Sequence, residues 1–431
     1  MNKKFSLPRG TSDILPIDVT LWGSIENLIR QKLNQYNYKE IRTPIFEETE
    51  LFARSMGQSS EVVAKQMLSL TRSDADNKEK SGLSLRPEGT AAVVRSYIQN
   101  GMFKQEGLSR LFYFGPMFRG ERPQKGRLRQ FHQMGVEAIG PNSASPYLDA
   151  EVIALAVNVL KSLGLNNFQL KINTLGTAKD KGVFARWLKE RLKDCIDHLS
   201  EASQQSFHEN VFRILDSKEP EAQKLIDSLH LDHSYLSDES RTYYAQVKNA
   251  LDILNVPYQE TPRLVRGLDY YTQTVFEISD ASLGSQDALG AGGRYGGLVQ
   301  QLGGPEDVEA VGFALGIERI ILALGDQERS PSVLDIFIMA MEEGFLDHAY
   351  ALLHQLRDQF PQHSVEMNYN VSSMKSQLRL ANKKNARFVL IIGKDEAESN
   401  AVTVKNMSTG DQRTMSMDHH MQGLKDFLKN N

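Results

Sequence analysis

A chain of 431 residues, of which 40% are hydrophobic and 24% charged, has the composition of a folded protein with two or three domains. Its formal net charge of -4 excludes a global basic field for nucleic acid, so any RNA contact must come from local patches. The single cysteine, Cys195, excludes an internal disulfide and a thiolate zinc cage and indicates a reducing, cytoplasmic location. No signal peptide and no membrane-spanning apolar run is predicted.

The first half of the chain combines helices with strands that suit hairpins. Apolar residues at helical spacing predict a helix over 17–35, and residues 41–46, which include Pro44, predict a short strand. Further strands are predicted over 111–118, 130–139, 170–173 and 272–278, and a further helix over 149–163. A mixed fold is therefore expected, in which hairpins are more evident than regular βαβ units.

Two changes of composition divide the chain. Residues 177–256 are rich in Lys, Glu, Asp, Gln and Ser, and they predict a helical insertion within a first domain that covers residues 1–325. After a linker-like stretch, residues 333–431 predict a compact α/β domain with a largely parallel sheet. Its strands are predicted at 333–340, 365–369, 388–392 and 401–406, and its helices at 345–359, 374–384 and 420–428.

Five cations crowd the turn of the hairpin that joins residues 111–118 to 130–139. They surround Glu121, and they are Arg119, Arg122, Lys125, Arg127 and Arg129. On the second strand, the alternation of side chains places Phe131, Gln133 and Glu137 on one face. A ring, an amide and a carboxylate beside Arg119 predict a site for a nucleobase, a polar small molecule and a phosphate. The alternative is an ordinary solvated basic turn.

The stretch LRPEGTA marks a transition from strand to helix, because Pro87 and Thr90 both suit a helix start. Glu88 then has two interpretations. It is either an acid that complements the helix dipole or a carboxylate held for a substrate ammonium group. The sequence alone favours the first.

Three glycine-containing segments add further candidates. LVRGLDYYT places Arg266 beside a glycine and ahead of Tyr270 and Tyr271, and glycine permits a sharp turn or the close approach of a ligand. GAGGRYGGL contains Tyr295 and matches neither the Walker nor the Rossmann pattern, so neither type of nucleotide site is supported. GFALGIER predicts a strand followed by a helix with Arg319 in its first turns.

No protein-held metal site is predicted. His230 and His233 have a loose metal-like spacing, but they lie in a polar helical region without a carboxylate cluster and are interpreted as solvated. The zinc-protease pattern HExxH is absent from the sequence.

Together these segments resemble class II aminoacyl-tRNA synthetases, and among them the histidyl-tRNA synthetase family, over essentially the whole chain. Residues 23–57 resemble the first class II motif, GPMFRGERPQKGRLRQFHQMGVE the second and GFALGIER the third. LRPEGTA, LVRGLDYYT and AGGRYGGL, in this order, are typical of the histidine-specific enzymes. The resemblance implies a catalytic domain with a mixed, mainly antiparallel sheet and a helical insertion, followed by an α/β anticodon-binding domain.

The resemblance also implies a set of site residues. Those implied for histidine are Glu88, Gly89, Thr90, Arg119, Gln133, Glu137, Arg266, Tyr270, Tyr271 and Tyr295. Those implied for ATP are Arg119, Glu121, Arg127, Phe131 and Arg319. Arg119 and Arg266 would be the catalytic cations at the α-phosphate, and Arg122 and Gln124 would contact the acceptor end of tRNA.

The implied reaction activates L-histidine with ATP and transfers it to tRNA(His). Mg²⁺ would enter with ATP, and the protein would be a cytoplasmic homodimer without a membrane contact. Gly120 and Gly296 depart from the residues common in the family, and local changes in loop stiffness are expected there. The alternative is a non-catalytic relative, the histidine-sensing regulatory subunit of ATP phosphoribosyltransferase, which is not expected to keep RGLDYYT or a C-terminal anticodon-type domain.

Overall fold

The computed structural model describes residues 5–57, 60–71, 80–105, 107–217, 219–266, 268, 270–325, 334–417 and 421–430. These residues form two compact units. The first contains the described residues of Met1–Ile14 and Trp22–Gln327, and the second those of Leu15–Leu21 and Glu328–Asn431.

The first unit is built on a sheet of eight strands. The strands before residue 325 are β1 (Lys39–Glu40), β2 (Phe46–Glu48), β3 (Ser69–Thr71), β4 (Lys80–Leu85), β5 (Ser109–Phe118), β6 (Gln130–Pro141), β7 (Gln169–Thr174), β8 (Gln259–Glu260), β9 (Thr272–Ser279), β10 (Ala288–Arg294) and β11 (Val308–Gly316). The order in the large sheet is β1-β5-β6-β11-β10-β9-β7-β8, and a small sheet has the order β2-β4-β3. Only the outer pairs β1–β5 and β7–β8 of the large sheet are parallel in the described residues. The sheet is therefore mainly antiparallel.

Helices cover this sheet and form the predicted helical segment. They are α1 (Pro16–Gln35), α2 (Thr49–Met56), α3 (Thr90–Gln99), α4 (Pro146–Ser162), α5 (Ala178–Leu192), α6 (Glu201–Glu209), α7 (Phe212–Leu215), α8 (Pro220–Ser228), α9 (Asp238–Ile253), α10 (Gly296–Gln301) and α11 (Ile317–Leu324). A π-helical turn covers Val62–Gln66, and 3₁₀ turns cover Met102–Lys104, Ile196–His198 and Ala281–Gln286. Apolar side chains of the large sheet and of α5 to α8 share one buried cluster.

Asp180 joins the first helix of the helical segment to its last. Its carboxylate caps α5 through Thr177 and also accepts hydrogen bonds from Ser237 and Ser240 at the start of α9. Burial opposes ionisation of this group, but the hydrogen bonds prevail and lower its pKa to about 2. The capping residues thus hold α5 and α9 together at their N-termini.

The strand predicted over 41–46 is wrong. Strands form at β1 and β2 on either side, and the intervening backbone instead supplies acceptors to a buried arginine. Arg86 Nη1 donates to the carbonyl of Thr43 at 3.1 Å and to that of Pro44 at 3.4 Å. Pro44 also lacks an N–H group, so it cannot donate a hydrogen bond to a neighbouring strand.

The second unit is an α/β domain. Its strands are β12 (Leu334–Ala340), β13 (Val365–Met367), β14 (Ala386–Ile392), β15 (Ala401–Asn406) and β16 (Gln412–Ser416), and its helices are α12 (Leu346–Gln359), α13 (Met374–Lys383), α14 (Lys394–Glu398) and α15 (Gln422–Asn430). The sheet order is β13-β12-β14-β15-β16. The pairs β12–β13 and β12–β14 are parallel, whereas β14–β15 and β15–β16 are antiparallel. The prediction of a largely parallel sheet is therefore wrong: the sheet is mixed, since β15 runs antiparallel to β14, and the mostly exposed strand β16, which was not predicted, adds a second antiparallel pair.

Each unit has an internal apolar core of its own. In the described parts of the chain, no helix combines the length and the apolar character needed to cross a bilayer.

Candidate active site

A cavity of about 240 Å³ lies on the large sheet, where β5, β6, β10 and β11 meet the start of α3 and the segment before β9. Most of the predicted site residues line it, namely Glu88, Thr90, Arg119, Glu121, Arg127, Phe131, Gln133, Glu137, Arg266, Tyr270, Tyr271, Tyr295 and Arg319. Gly89, Arg122 and Gln124 do not. The structure thus brings together five distant segments of the sequence.

The alternation predicted along β6 is confirmed. Phe131, Gln133 and Glu137 all reach the cavity from one face of the strand. The neighbouring strand β11 places Gly312 directly opposite Glu137. A side chain at position 312 would overlap with the Glu137 carboxylate and with the Val136 carbonyl, so this glycine leaves the space that the carboxylate fills.

We expect Gly312→Ala to destabilise the protein by about 1–3 kcal/mol, because the added methyl group forces neighbouring backbone and side chains apart. The matched control is Gly182→Ala in α5, where an added methyl group would meet nothing within 4 Å. That substitution should stabilise the protein by about 0.5–1 kcal/mol, since alanine loses less backbone freedom than glycine. Urea-induced unfolding of both variants measures the difference, and equal midpoints would contradict the argument.

Two buried carboxylates form the inner end of the cavity. Thr90 Oγ1 donates to Glu137 Oε1 at 2.7 Å, and the Tyr295 hydroxyl donates to Glu137 Oε2. Glu88 accepts from the backbone N–H of Thr90 at 2.6 Å and from that of Ala91 at 2.9 Å. The interpretation of Glu88 as an acid at a helix N-terminus is therefore confirmed, and its side chain faces the cavity as well.

Burial raises the pKa of Glu137 to about 8, although the hydrogen bonds from Tyr295 and Thr90 act in the opposite direction. Burial also raises the pKa of Glu88. Each carboxylate raises the pKa of other cavity groups, including the Tyr113 hydroxyl. The inner end of the cavity therefore favours a ligand that brings positive charge or N–H donors.

The raised pKa of Glu137 predicts a pH dependence of stability. In the unfolded chain this carboxyl loses its proton near pH 4.5, whereas in the folded protein it keeps the proton until about pH 8. The folded state binds more protons in this window, so stability falls as the pH rises from about 5 to 8. Glu137→Gln removes this contribution and keeps Glu88. We expect the melting temperature of the wild type to fall relative to Glu137→Gln across the window; a constant difference would contradict the assignment.

Two polar atoms in the cavity lining have unused hydrogen-bonding capacity. Gln133 Oε1 and Arg266 Nε are buried and have no hydrogen-bond partner in the part of the chain that the structure describes. A buried acceptor or donor without a partner is costly unless a ligand satisfies it. The acceptor lies at the carboxylate end, and the donor belongs to the cationic end.

Four arginines form the cationic end of the cavity. Arg119 donates to the Pro87 carbonyl at 3.0 Å and lies over the Phe131 ring, 5.2 Å from its centroid. Burial lowers the pKa of Arg119, and the charges of Arg127 and Arg266 lower it further. These guanidinium groups repel one another, and an anion placed between them would relieve that repulsion.

The cations have protein partners in this structure. Arg127 forms an ion pair with Glu121, whose other oxygen lies 3.8 Å from Arg119. Arg266 pairs with Glu277 at 2.6 Å. Arg319 donates to the carbonyls of Gly126 and Ala288, at 3.0 and 2.7 Å, and so connects the hairpin turn to β10. A phosphate group would therefore compete with Glu121 for Arg127.

Two family profiles match the chain. The profile described as Histidyl-tRNA synthetase matches residues 10–320, and the one described as Anticodon binding domain matches residues 335–427. A curated histidine--tRNA ligase from Bacillus licheniformis is 40% identical over 427 residues, which cover 98% of each chain. The histidine--tRNA ligase of Bacillus subtilis is 42% identical with the same coverage.

The chain belongs to the histidyl-tRNA synthetase family. The apo histidyl-tRNA synthetase of S. aureus has a similar crystal structure, with a TM-score of 0.78, 37% identity and coverage of 99% of this chain and 100% of that one. A Bacillus halodurans protein described as ATP phosphoribosyltransferase regulatory subunit/histidyl-tRNA synthetase has a TM-score of 0.66 at 22% identity, with coverage of 91% and 100%. The second match shows a shared fold alone. The predicted class II synthetase fold with a C-terminal anticodon-binding domain is confirmed.

Some residues of this synthetase cavity were not predicted. Tyr113 of β5 lines it, and its ring occupies the space where side chains at Gly89 and Gly135 would lie. Gly89, which caps α3, therefore supports the wall rather than lining the cavity. Backbone from β10 and β11 also contributes, including Leu289 and Ala314. The pairing of β5 with β6 is what could have identified Tyr113, because this residue lies opposite Gly135 in the hairpin.

The remaining predicted residues lie elsewhere. Arg122 and Gln124 are exposed at the hairpin turn. Gly267 and Asp269 of the LVRGLDYYT segment lie outside the described residues. In the described ranges, no group of three or more His, Cys, Asp or Glu residues could hold a metal ion.

The interpretation of His233 as solvated is wrong. Its ring is half-buried, and its Nε2 lies 2.8 Å from Asn173 Oδ1. His230, by contrast, is exposed. Spacing alone could not separate the two histidines, because the partner Asn173 is sixty residues away in the sequence.

Proposed function

We propose that this cavity activates L-histidine with ATP and then passes the histidyl group to the 3′ end of tRNA(His). The protein is a histidine–tRNA ligase, and its reaction uses ATP. One observation carries the assignment of the cavity: in one space, clustered arginines meet buried carboxylates and an amide oxygen that has no hydrogen-bond partner among the described residues. The regulatory-subunit alternative is less supported, because histidine--tRNA ligases match the chain over nearly its full length.

The inner end of the cavity would hold histidine. Glu88, Thr90 and the Gln133 side-chain oxygen suit the α-ammonium group, since all offer acceptor oxygens. Glu137 and the Tyr271 hydroxyl would face the imidazole, and Tyr270 and Tyr295 would line its walls. Tyr295 and Tyr271 both lie against the Tyr270 ring, at centroid distances of 5.6 and 4.5 Å, which supports one rigid aromatic wall.

The cationic end would hold ATP. Arg119 and Arg266 would bind the α-phosphate, Arg127 the distal phosphates, and Phe131 and Arg319 would enclose adenine. Glu121 pairs with Arg127 in this structure and would release it to the phosphates. Mg²⁺ would enter as part of the ATP substrate on its distal phosphates. The unused donor of Arg266 supports this placement.

The proposed chemistry follows from bringing two anions together. A histidine carboxylate oxygen attacks the α-phosphorus and forms a new P–O bond, while the bond to the leaving pyrophosphate breaks. Alignment and charge neutralisation are the main requirements of such a step. The planar fork of Arg119 can bridge both anions, and Arg266 would stabilise the charge that grows in the transition state. The 3′ end of tRNA then attacks the activated carbonyl and releases AMP.

The tRNA would contact several parts of the chain. Arg122 and Gln124 are exposed at the hairpin turn, where an acceptor end entering the cavity could reach them. In this proposal residues 1–325 form the catalytic domain, with 177–256 as its helical insertion, and residues 333–431 bind the anticodon. A homodimer in the cytoplasm is part of the same proposal. Ile45 and Phe46 support a dimer, because these large apolar side chains are exposed within the segment that resembles the first class II motif.

Histidine-dependent exchange of pyrophosphate into ATP tests the first step, and charging of bulk tRNA with histidine tests the second. We expect exchange with histidine and none with the other amino acids. Histidine binding without exchange would instead favour the regulatory-subunit alternative. Exchange without charging would refute the transfer step.

A further inference from the structure

Asn173 is a buried side chain outside the cavity that holds the backbone leading to Arg266. It lies on β7 and is fully buried. Its Nδ2 donates to the carbonyl of Pro262 at 3.0 Å and to that of Leu264 at 2.9 Å. The second carbonyl lies only two residues before Arg266, so one amide group fixes the start of the segment that carries this cation.

His233 fixes the orientation of that amide. Because both Asn173 Nδ2 hydrogens point to carbonyls, Oδ1 must face the His233 ring, and Nε2 must therefore carry a hydrogen and donate. The ring packs edge-on against Tyr244, with centroids 5.3 Å apart. Burial lowers the pKa of His233, which keeps the ring neutral near pH 7. His233 lies between α8 and α9, in the helical insertion.

The same insertion holds the other end of the Arg266 segment. Lys181 of α5 donates to the carbonyl of Tyr271 at 3.0 Å. Between these two anchors, Val265 packs in the apolar cluster that also contains Leu215 and Ile226 of the insertion. The insertion thus contacts the segment at Val265 and at Tyr271, on either side of Arg266, while the Arg266 side chain pairs with Glu277 of the sheet.

We propose that Asn173 and His233 are positioning residues for the activation of histidine, and that through them the helical insertion sets the place of Arg266. The inference rests on the proposed role of Arg266 at the α-phosphate. If His233 no longer donates, Asn173 can rotate, and the carbonyls of Pro262 and Leu264, four and two residues before Arg266, lose their donor. A small displacement of a group that stabilises a transition state is enough to slow the chemical step.

His233→Phe tests this proposal, because phenylalanine keeps a ring against Tyr244 but has no N–H donor. His233→Gln restores a donor amide, and His198→Phe is the matched control at an exposed histidine of the insertion. Single-turnover formation of histidyl-adenylate gives the rate, and steady-state titrations give KM for histidine and ATP. We expect the His233→Phe rate to fall by about 10- to 100-fold with both KM values near those of the wild type. His233→Gln should recover most of the rate, and His198→Phe should leave it unchanged.

Two results would overturn the proposal. One is a wild-type rate in His233→Phe. The other is an equal loss of rate in His233→Phe and His233→Gln together with equal losses of melting temperature, which would indicate that His233 contributes packing alone. If His233→Phe does not fold, His233→Gln decides: a near wild-type rate supports the proposal, and a large loss in a folded protein refutes it. Failure of the proposed function is distinguishable, because it would appear as no histidine-dependent adenylate in the wild type itself.

Discussion

Arg266→Ala is expected to lower the single-turnover rate of histidyl-adenylate formation by about 10²- to 10³-fold, the loss typical of removing one preorganised donor from a transition state. Arg266 belongs to a cluster of cations whose mutual repulsion an α-phosphate would relieve. Its Nε has no partner in the described part of the protein, so the group is ready for an anion. We expect KM for histidine and ATP to change less than the rate, because the added charge matters most where negative charge grows.

The control is Arg263→Ala in the same segment. Arg263 is largely exposed and pairs only loosely with Asp227, at 3.4 Å, so its loss should leave the rate unchanged. Arg266→Lys separates charge from geometry, since lysine keeps the charge but loses the fork that can meet Glu277 and a phosphate together. We expect an intermediate rate for it. A wild-type rate in Arg266→Ala would remove Arg266 from the chemistry.

The parts of this site that sequence could predict are those with a local signal. Strand β6 alternates with a period of two, and that period alone places Phe131, Gln133 and Glu137 on one face. The hairpin turn is equally local, because its cations are neighbours in the chain. Both features could be predicted because β5 and β6 are adjacent in the sequence and pair directly with each other in the sheet.

The parts that sequence could not predict depend on distant pairing. Gly312 faces Glu137 only because β11 lies beside β6, and nothing near either residue specifies that neighbour. The partners of the arginines are also non-local. Arg266 pairs with Glu277, eleven residues further along the chain, and Arg86 donates to the Thr43 carbonyl from forty-three residues away. The local sequence pattern predicts which side chains share one face of a strand and where turns lie. The order of strands in the sheet decides which residues of different strands become neighbours.

The two departures from the family pattern differ in how tightly they are packed. A side chain at Gly296 would overlap with the carboxylate end of Glu309, a partly exposed side chain that can shift to make room. At Gly120 a methyl group would lie 3.4 Å from the Gln66 carbonyl and from Leu68, an adjustment of a few tenths of an ångström. The expected change in loop stiffness remains a prediction at both positions.

Glu137→Ala is expected to raise KM for histidine by about 10- to 100-fold, the cost of losing a hydrogen bond to a charged or strongly polar buried group. KM for ATP should change little, because Glu137 lies at the far end of the cavity from the arginines. Steady-state pyrophosphate exchange with histidine and ATP titrated separately measures both values. Glu306→Ala, at an exposed carboxylate, is the control.

Glu137→Gln distinguishes hydrogen bonding from charge as the basis of histidine recognition. Glutamine keeps one acceptor for an imidazole N–H and can still meet Thr90 and Tyr295, so it should lose less affinity than alanine if hydrogen bonding governs recognition. If charge governs it, both variants should lose similar affinity. The raised pKa makes the first outcome the expected one near pH 7, because burial already favours the neutral acid there, which glutamine resembles in shape and charge. Unchanged histidine affinity in Glu137→Ala would place imidazole recognition elsewhere in the cavity.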